Sequence, residues 1–243
     1  MKRRHLIVAL AAFTVSAAAA PLHFESAETP ATLLELFSSE GCSSCPPAEA
    51  WISTLKDRAD LWQRVVPVVW HVDYWDRLGW PDRFARPEFT ARQHRYAAAW
   101  GGGSVYTPGF AVDGREWRGW FERRTLPEHA RTKAGILSIQ LPDITHADIT
   151  FTPAAKTSAP LFAEVALLGD ALETDVTRGE NRGRKLRHDF TVLHFARAPL
   201  RPDGAHFSLP EKLAAPPAAI AAWIVSGETP APLQATGGWL KAR

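Results

Sequence analysis

The first half of the chain alternates between continuous apolar runs and segments with helical spacing. The runs ATLLELFS at 31–38 and VVPVVWHV at 65–72 predict two buried strands, and only Glu35 interrupts the first. Between them, residues 48–61 carry apolar side chains at intervals of about 3.6 residues, which predicts a helix. The proline pair 46–47 fits only the first turn of that helix, where the N–H groups have no intrahelical partner.

An aromatic and charged insertion follows the second strand. It occupies 73–100, and its later part, 87–100, predicts a further helix that three glycines end. The run 109–112 is followed by Asp113-Gly114, a typical hairpin signal. The order strand, helix, strand, helix, X-Pro and hairpin is typical of a thioredoxin-like α/β domain, which we expect over 25–134.

From about residue 135 the hydrophobic period changes to two. Short apolar runs separated by turn residues predict strands at 136–141, 147–152, 161–168, 172–176, 189–196, 205–209, 220–225 and 232–236. Short strands without a helix indicate a β-sandwich. The predicted fold class is therefore a thioredoxin-like N-terminal domain followed by an all-β, sandwich-like C-terminal domain over 135–243.

The N-terminus reads as a targeting segment. Basic residues at 2–4, an apolar run at 6–15 and small residues after it describe a secretory signal peptide over 1–20. The run is shorter than the roughly 20 apolar residues that span a bilayer. We expect cleavage after Ala18 and a periplasmic or secreted protein without a stable membrane span; an uncleaved anchor is the alternative.

Charge narrows the classes of partner. The chain has 28 Lys and Arg, of which three lie in the predicted signal, leaving 25 against 26 Asp and Glu. A nearly neutral mature chain lacks the clustered basic residues that bind phosphates, so we expect no nucleic-acid partner.

The chemistry of the chain centres on its two cysteines, Cys42 and Cys45. They precede the predicted helix, whose unpaired N–H groups and dipole stabilise a thiolate, the attacking species in disulfide exchange. We predict that they form a disulfide, with Cys42 as nucleophile and Cys45 as resolving partner. A structural disulfide is the alternative, although a loop this short contributes only about 2 kcal/mol.

Two further residues are predicted to act with the cysteines. A carboxylate inside an apolar strand is costly to bury, so Glu35 is a candidate proton relay to Cys45. Its alternatives are a strand-end residue that reaches solvent or a partner of an arginine. Thioredoxin-like domains place a cis-proline opposite the cysteine pair, and Pro108, after Thr107 and before the hairpin strand, suits that position.

Polar and aromatic residues also gather after the second strand, where α/β folds tend to place sites. His71, Asp73, Tyr74 and Trp75, together with Thr107, are predicted to bind substrate. The alternative is that the residues after the strand only cap the strand and the insertion. A zinc site needs four ligands and the chain has no second cysteine pair, whereas Cu(I) could use both sulfurs and His71.

The basic segment 178–187 is interpreted as a solvated hairpin end, with a ligand or anion site as the alternative.

Four segments resemble a known family: LLELFSSEGCSSCPPAEAW, WHVDYWDRLGWPDRFA, VYTPGFAVDG and RGENRGRKLRHDF. They are similar to exported bacterial proteins of unknown function that have a thioredoxin-like N-terminal domain and a β-rich C-terminal extension. The resemblance implies fold and compartment. It also implies that Cys42 and Cys45 are the reactive cysteine pair of the family and that Pro108 is the proline that faces the substrate.

The expected function is that of an exported thiol–disulfide oxidoreductase without a cofactor. Its partners would be thiols or disulfides of proteins or small molecules, together with a redox partner. The alternatives are a soft-metal chaperone using Cys42, Cys45 and His71, and a non-enzymatic binding module with a structural disulfide.

Overall fold

The computed structural model describes residues 21–123, 125–127, 132–227 and 229–241. The predicted signal peptide lies outside the described residues. The strands are β1 (Leu22–Glu25), β2 (Thr32–Ser38), β3 (Val65–His71), β4 (Gly109–Val112), β5 (Arg115–Glu116), β6 (Gly135–Asp143), β7 (His146–Pro153), β8 (Leu161–Gly169), β9 (Leu172–Asp175), β10 (Lys185–His188), β11 (Thr191–Pro199), β12 (Ala205–Ser208), β13 (Ala219–Ser226) and β14 (Pro232–Trp239). The α-helices of this part are α1 (Pro46–Ser53) and α2 (Pro87–Ala99).

A single large sheet carries most of these strands. Its order is β14-β13-β8-β11-β3-β2-β4-β5. Strands β2 and β3 run parallel, and β11 adds to the far edge of β3, also parallel, with Thr191 opposite Val69. A four-stranded sheet, β1-β6-β7-β12, and the hairpin β9–β10 complete the architecture.

The predicted fold class is wrong, although the β-rich character of the second half partly fits. Strands β2 to β5 do not form a thioredoxin-like α/β domain, because β11 continues their sheet into the C-terminal half. Strands from both sides of residue 134 thus share one sheet. The hydrophobic pattern did not show which strands pair, because a buried parallel strand gives an apolar run whether it lies at the edge or in the interior of a sheet.

Two hydrophobic cores lie on opposite faces of β8 and β13. Ala163, Val165 and Leu167 point into one core, whereas Ala166 and Leu168 point into the other. The alternation follows the two-residue period of a strand. Burial on both faces explains why these strands are almost continuously apolar, with Glu164 as the charged exception in β8.

Aromatic side chains fill the larger core, which contains residues of both halves. Trp70 is fully buried and meets Phe89, Phe195 and Trp223 at centroid distances of 5.0, 5.2 and 6.3 Å. Burial of such side chains contributes strongly to stability. None of the helices in the described part is long and apolar enough to cross a membrane.

Candidate functional site

The cysteine turn lies between the end of β2 and the start of α1. The predicted disulfide between Cys42 and Cys45 is confirmed, with Cα atoms 5.4 Å apart. The amide of Cys45 donates to the carbonyl of Cys42 at 3.2 Å, and α1 begins at the next residue. Both cysteines are fully buried, whereas Ser43 and Ser44 between them are exposed.

Residues from the C-terminal half hold this turn in place. Asn181 is buried, and its Nδ2 donates to the carbonyls of Glu40 at 2.8 Å and Cys42 at 3.0 Å. The carboxylate of Glu180 accepts from the amide of Ser43 at 3.1 Å. Sequence reasoning assigned no role to Glu180 or Asn181, since the basic side chains around them suggested a solvated hairpin.

Some of the predicted substrate-binding residues lie together beside the turn. Trp75 Nε1 donates to Thr107 Oγ1 at 2.8 Å, and the peptide bond between Thr107 and Pro108 is cis. A Cβ on Gly41 would lie 2.9 Å from the Trp75 Cβ, so glycine permits this close approach. Trp75 therefore connects the cysteine turn with the Thr107–Pro108 loop.

Two more residues of that predicted set, Asp73 and Tyr74, face α2 instead. The Thr90 hydroxyl donates to Asp73 at 2.6 Å, and the Tyr74 hydroxyl donates to Gln93 at 3.3 Å. Burial raises the pKa of Tyr74 to about 12, so its phenol stays protonated at neutral pH. Both side chains anchor the insertion to the helix.

Glu35 is fully buried and paired with an arginine, one of the alternatives stated above. Its carboxylate accepts from Arg92 Nε at 2.9 Å, Trp70 Nε1 at 3.0 Å and the Tyr96 hydroxyl at 2.6 Å. Burial raises its pKa although Arg92 opposes the shift. Arg92 also donates to Glu164 at 2.9 Å. We call Glu35, Trp70, Arg92, Tyr96 and Glu164 the arginine cluster. None of these hydrogen bonds connects Glu35 to a cysteine. The role of Glu35 as a proton relay to Cys45 stays a prediction.

A second group of buried charges lies at the ends of β2 and β3, where Ser38 is paired with His71. We call Glu40, Glu49, His71, Asp82 and His188 the histidine cluster. His71 Nδ1 lies 2.6 Å from Asp82 Oδ2, and His188 Nδ1 lies 2.5 Å from Glu49 Oε2. His188 Nε2 is 3.2 Å from Glu40 Oε1.

The carboxylates and imidazoles of the histidine cluster shift one another's titration. Burial alone would lower the pKa of His188, but Glu49 and Glu40 outweigh it and raise the pKa to about 10. Burial is likewise outweighed at His71, whose pKa Asp82 raises, and at Glu49, whose pKa His188 lowers. Imidazolium–carboxylate pairs thus stabilise the cluster.

Sequence reasoning singled out only His71 from this cluster. Its proposed copper partners are the two cysteines, yet the group of potential ligands around His71 in the described part contains Glu49 and His188 and no cysteine. One signal for His188 was available: in β10, Leu186 and His188 are buried while Lys185 and Arg187 are exposed. That two-residue period places the histidine on the inward face.

These features belong to a β-rich protein with a buried disulfide turn beside a cluster of buried ionisable groups. The chain belongs to the family of proteins of unknown function DUF1223, whose profile matches residues 33–225. The resemblance inferred from the sequence motifs is therefore confirmed at the level of the family. No protein of curated function matches the sequence.

Two solved structures share the fold. Protein AGR_C_4864 from Agrobacterium tumefaciens is 22% identical, with a TM-score of 0.60 over 88% of this chain and 95% of that chain. HBP35 of Porphyromonas gingivalis is 17% identical, with a TM-score of 0.59 over 88% of this chain and 76% of that chain. At these identities the likeness concerns the fold alone.

Proposed function

We propose that the protein is an exported thiol–disulfide exchange protein whose reactive centre is the Cys42–Cys45 disulfide. The observation that carries the proposal is the position of this disulfide in a four-residue turn that ends where α1 begins. Helix N-terminal N–H groups stabilise a thiolate there, which makes the reduced pair a better leaving and attacking group. A periplasmic or secreted location goes with this proposal, because disulfides persist in oxidising compartments.

The small size of the disulfide loop supports a reactive rather than a stabilising role. A loop this short contributes about 2 kcal/mol at most, whereas bridges between distant segments contribute more. Asn181 already holds the turn through the carbonyls of Glu40 and Cys42. The turn therefore keeps much of its support when the S–S bond is broken.

The exchange itself has two steps. A partner thiolate forms a bond to one of the two sulfurs while the S–S bond breaks and the other cysteine leaves as a thiolate. A second partner thiolate then releases the mixed disulfide, so the partner is oxidised and Cys42 and Cys45 are reduced. Since both cysteines are buried, the exposed Ser43–Ser44 segment has to move aside for the first attack.

Glutathione exchange tests the proposal. The wild type should equilibrate with reduced and oxidised glutathione under native conditions, and Cys42→Ser should abolish the reaction. With oxidised glutathione in excess, Cys45→Ser should accumulate a mixed disulfide between Cys42 and glutathione, because no Cys45 thiolate remains to displace the glutathione and re-form the intramolecular disulfide. Ser43→Ala, which leaves both thiols in place, is the matched control.

The burial of both cysteines favours a second candidate, a binding module in which the disulfide only keeps the turn rigid. In that case the native disulfide should resist glutathione until the protein unfolds, and Cys45→Ser should capture no glutathione. That pair of results would refute the exchange function.

A further inference from the structure

The histidine cluster contains three potential metal ligands from different parts of the chain. Glu49 lies on α1, His71 ends β3 and His188 ends β10. One ligand atom from each of the three lies within 4.8 Å of the others. The fold therefore brings two imidazoles and a carboxylate to one point beneath the cysteine turn.

The bonding of these groups within the protein is incomplete. His71 Nε2 is buried and has no hydrogen-bond partner; it lies 4.0 Å from Glu49 Oε1. His188 Nε2 and Glu40 Oε1 are also buried, and they face each other at 3.2 Å with no hydrogen bond to any other group. His71 is 0% exposed and His188 is 1% exposed. Buried polar atoms are normally hydrogen-bonded, so this incomplete bonding points to a further partner.

The surroundings of the histidines are those of a metal site. Asp82 Oδ2 lies 2.6 Å from His71 Nδ1. This contact fixes the orientation of the ring and leaves Nε2 as the nitrogen that can coordinate a metal ion. Such carboxylate–histidine pairs orient imidazole ligands in metalloproteins. Trp80 Nε1 donates to Glu40 Oε2 at 2.7 Å, so Glu40 Oε1 is the oxygen that faces His188 Nε2.

We propose that Glu49, His71 and His188 bind a divalent transition-metal ion of the zinc class, with Glu40 as a fourth donor. Two imidazole nitrogens and carboxylate oxygens form a donor set that Zn²⁺ accepts in tetrahedral sites. Alkaline-earth ions are disfavoured because they prefer sets made of oxygen alone. The ligands come from both halves of the chain, so the ion would tie β10 to α1 and β3.

A cleft between α1 and β10 offers an entry path. It encloses about 460 Å³, and both Glu49 and His188 line it. The cleft is open to solvent near Lys185 and Arg187, which are exposed. The cleft therefore leads from solvent toward two of the three proposed ligands.

The test is metal binding by the full-length protein after removal of metal with a chelator. Zinc titration should give one equivalent bound, and Co²⁺ at the same site should give the visible absorption of a tetrahedral complex. His71→Gln and His188→Gln should each lower zinc affinity by at least about 100-fold, because each removes a ligand rather than a supporting contact. His194→Gln is the matched control, since His194 Nε2 also lacks a partner but lies outside the cluster.

Asp82→Asn keeps the proposal testable if a histidine variant does not fold. It retains all ligands but weakens the support of His71, and it should lower zinc affinity by about 10–100-fold. Folding of each variant is checked by circular dichroism.

The proposal would be overturned if the folded wild type bound neither Zn²⁺ nor Co²⁺. It would also be overturned if a folded His188→Gln variant bound zinc with the affinity of the wild type. Cys42→Ser should keep its equivalent of zinc, and loss of binding in that variant would mark the cysteines as the ligands and also refute this site. His188→Gln should keep glutathione exchange, so the metal site and the exchange function fail separately.

Discussion

The arginine cluster and the histidine cluster bury several charges each, yet only one of them is complete. In the arginine cluster, the Arg92 guanidinium donates to Glu35, Glu164 and Tyr96. It also lies 4.8 Å from the ring centre of Trp70 and 5.4 Å from that of Trp223. In the histidine cluster, His71 Nε2 has no hydrogen-bond partner, and His188 Nε2 faces only Glu40 Oε1, at 3.2 Å.

The two clusters also differ in where they lie on the sheet. Glu35 is in the middle of β2, and its partners reach it from β3 and α2, while Glu164 of β8 bonds Arg92. The histidine cluster lies at the carboxyl ends of the parallel strands, where binding sites of α/β sheets occur. The complete cluster thus holds strands and helix together, whereas the cluster at the strand ends is the one for which we propose a ligand.

The largest effect should come from breaking the complete cluster. Arg92→Met leaves Glu35 and Glu164 buried without their cation, and we expect the free energy of unfolding to fall by about 3–5 kcal/mol. Urea unfolding measures it. Arg95→Met, at an exposed position of the same helix, should change stability by less than about 0.5 kcal/mol. If the two substitutions lowered the free energy of unfolding equally, the arginine cluster would contribute no more to stability than an exposed arginine does.

Zinc should stabilise the protein through the histidine cluster alone. A concentration of one hundred times Kd should raise the free energy of unfolding by about 2.7 kcal/mol in the wild type. Because the arginine cluster takes no part, Glu35→Gln should show the same increment, and His188→Gln should show none. Urea unfolding with and without zinc gives both numbers, and an increment that survives in His188→Gln would contradict the distinction between the clusters.

Reduction of the disulfide should have a smaller effect than either change. The four-residue turn is held by Asn181 as well as by the S–S bond, so reduction should cost about 2 kcal/mol or less. The measurement is urea unfolding with and without dithiothreitol, with the variant that combines Cys42→Ala and Cys45→Ala as an insensitive control. A loss above about 4 kcal/mol would mark the bond as structural.

The smallest effect concerns pH at the complete cluster. Burial raises the pKa of Glu35, which faces Arg92, Tyr96 and Glu164, so the fold favours the protonated form. The folded state then binds more protons than the unfolded state, and this contribution to stability falls as pH rises above the ordinary value of 4.5. The slope of the free energy of unfolding against pH should therefore be less negative in Glu35→Gln than in the wild type.

Local features could be predicted from the sequence, whereas long-range partners could not. The start of α1 after Cys45 and the end of β3 at His71 depend on nearby prolines and apolar runs, and both were predicted to within a residue or two. Glu49 reads as an ordinary helix residue, and Asp82 lies in an irregular insertion. Nothing local to either of them indicates that His188 packs against the same point.

The same limit explains the fold class. Pairing of β3 with β11 depends on a contact between Val69 and Thr191 that no periodicity contains. The cysteine pair was recognised because its chemistry is encoded within four residues. The histidine cluster was not, because its members become neighbours only after the sheet has formed.

The insertion of β11 beside β3 has a consequence for the order in which the molecule assembles. During synthesis, β2 and β3 are made long before residue 191, and until then β3 presents an unpaired edge to any other extended chain. Sheets closed by contacts between distant segments fold slowly, because loop entropy is lost before the contacts form. The polypeptide is therefore most exposed to misassembly while its last third is still missing, and His188 reaches Glu49 and His71 only when that period ends.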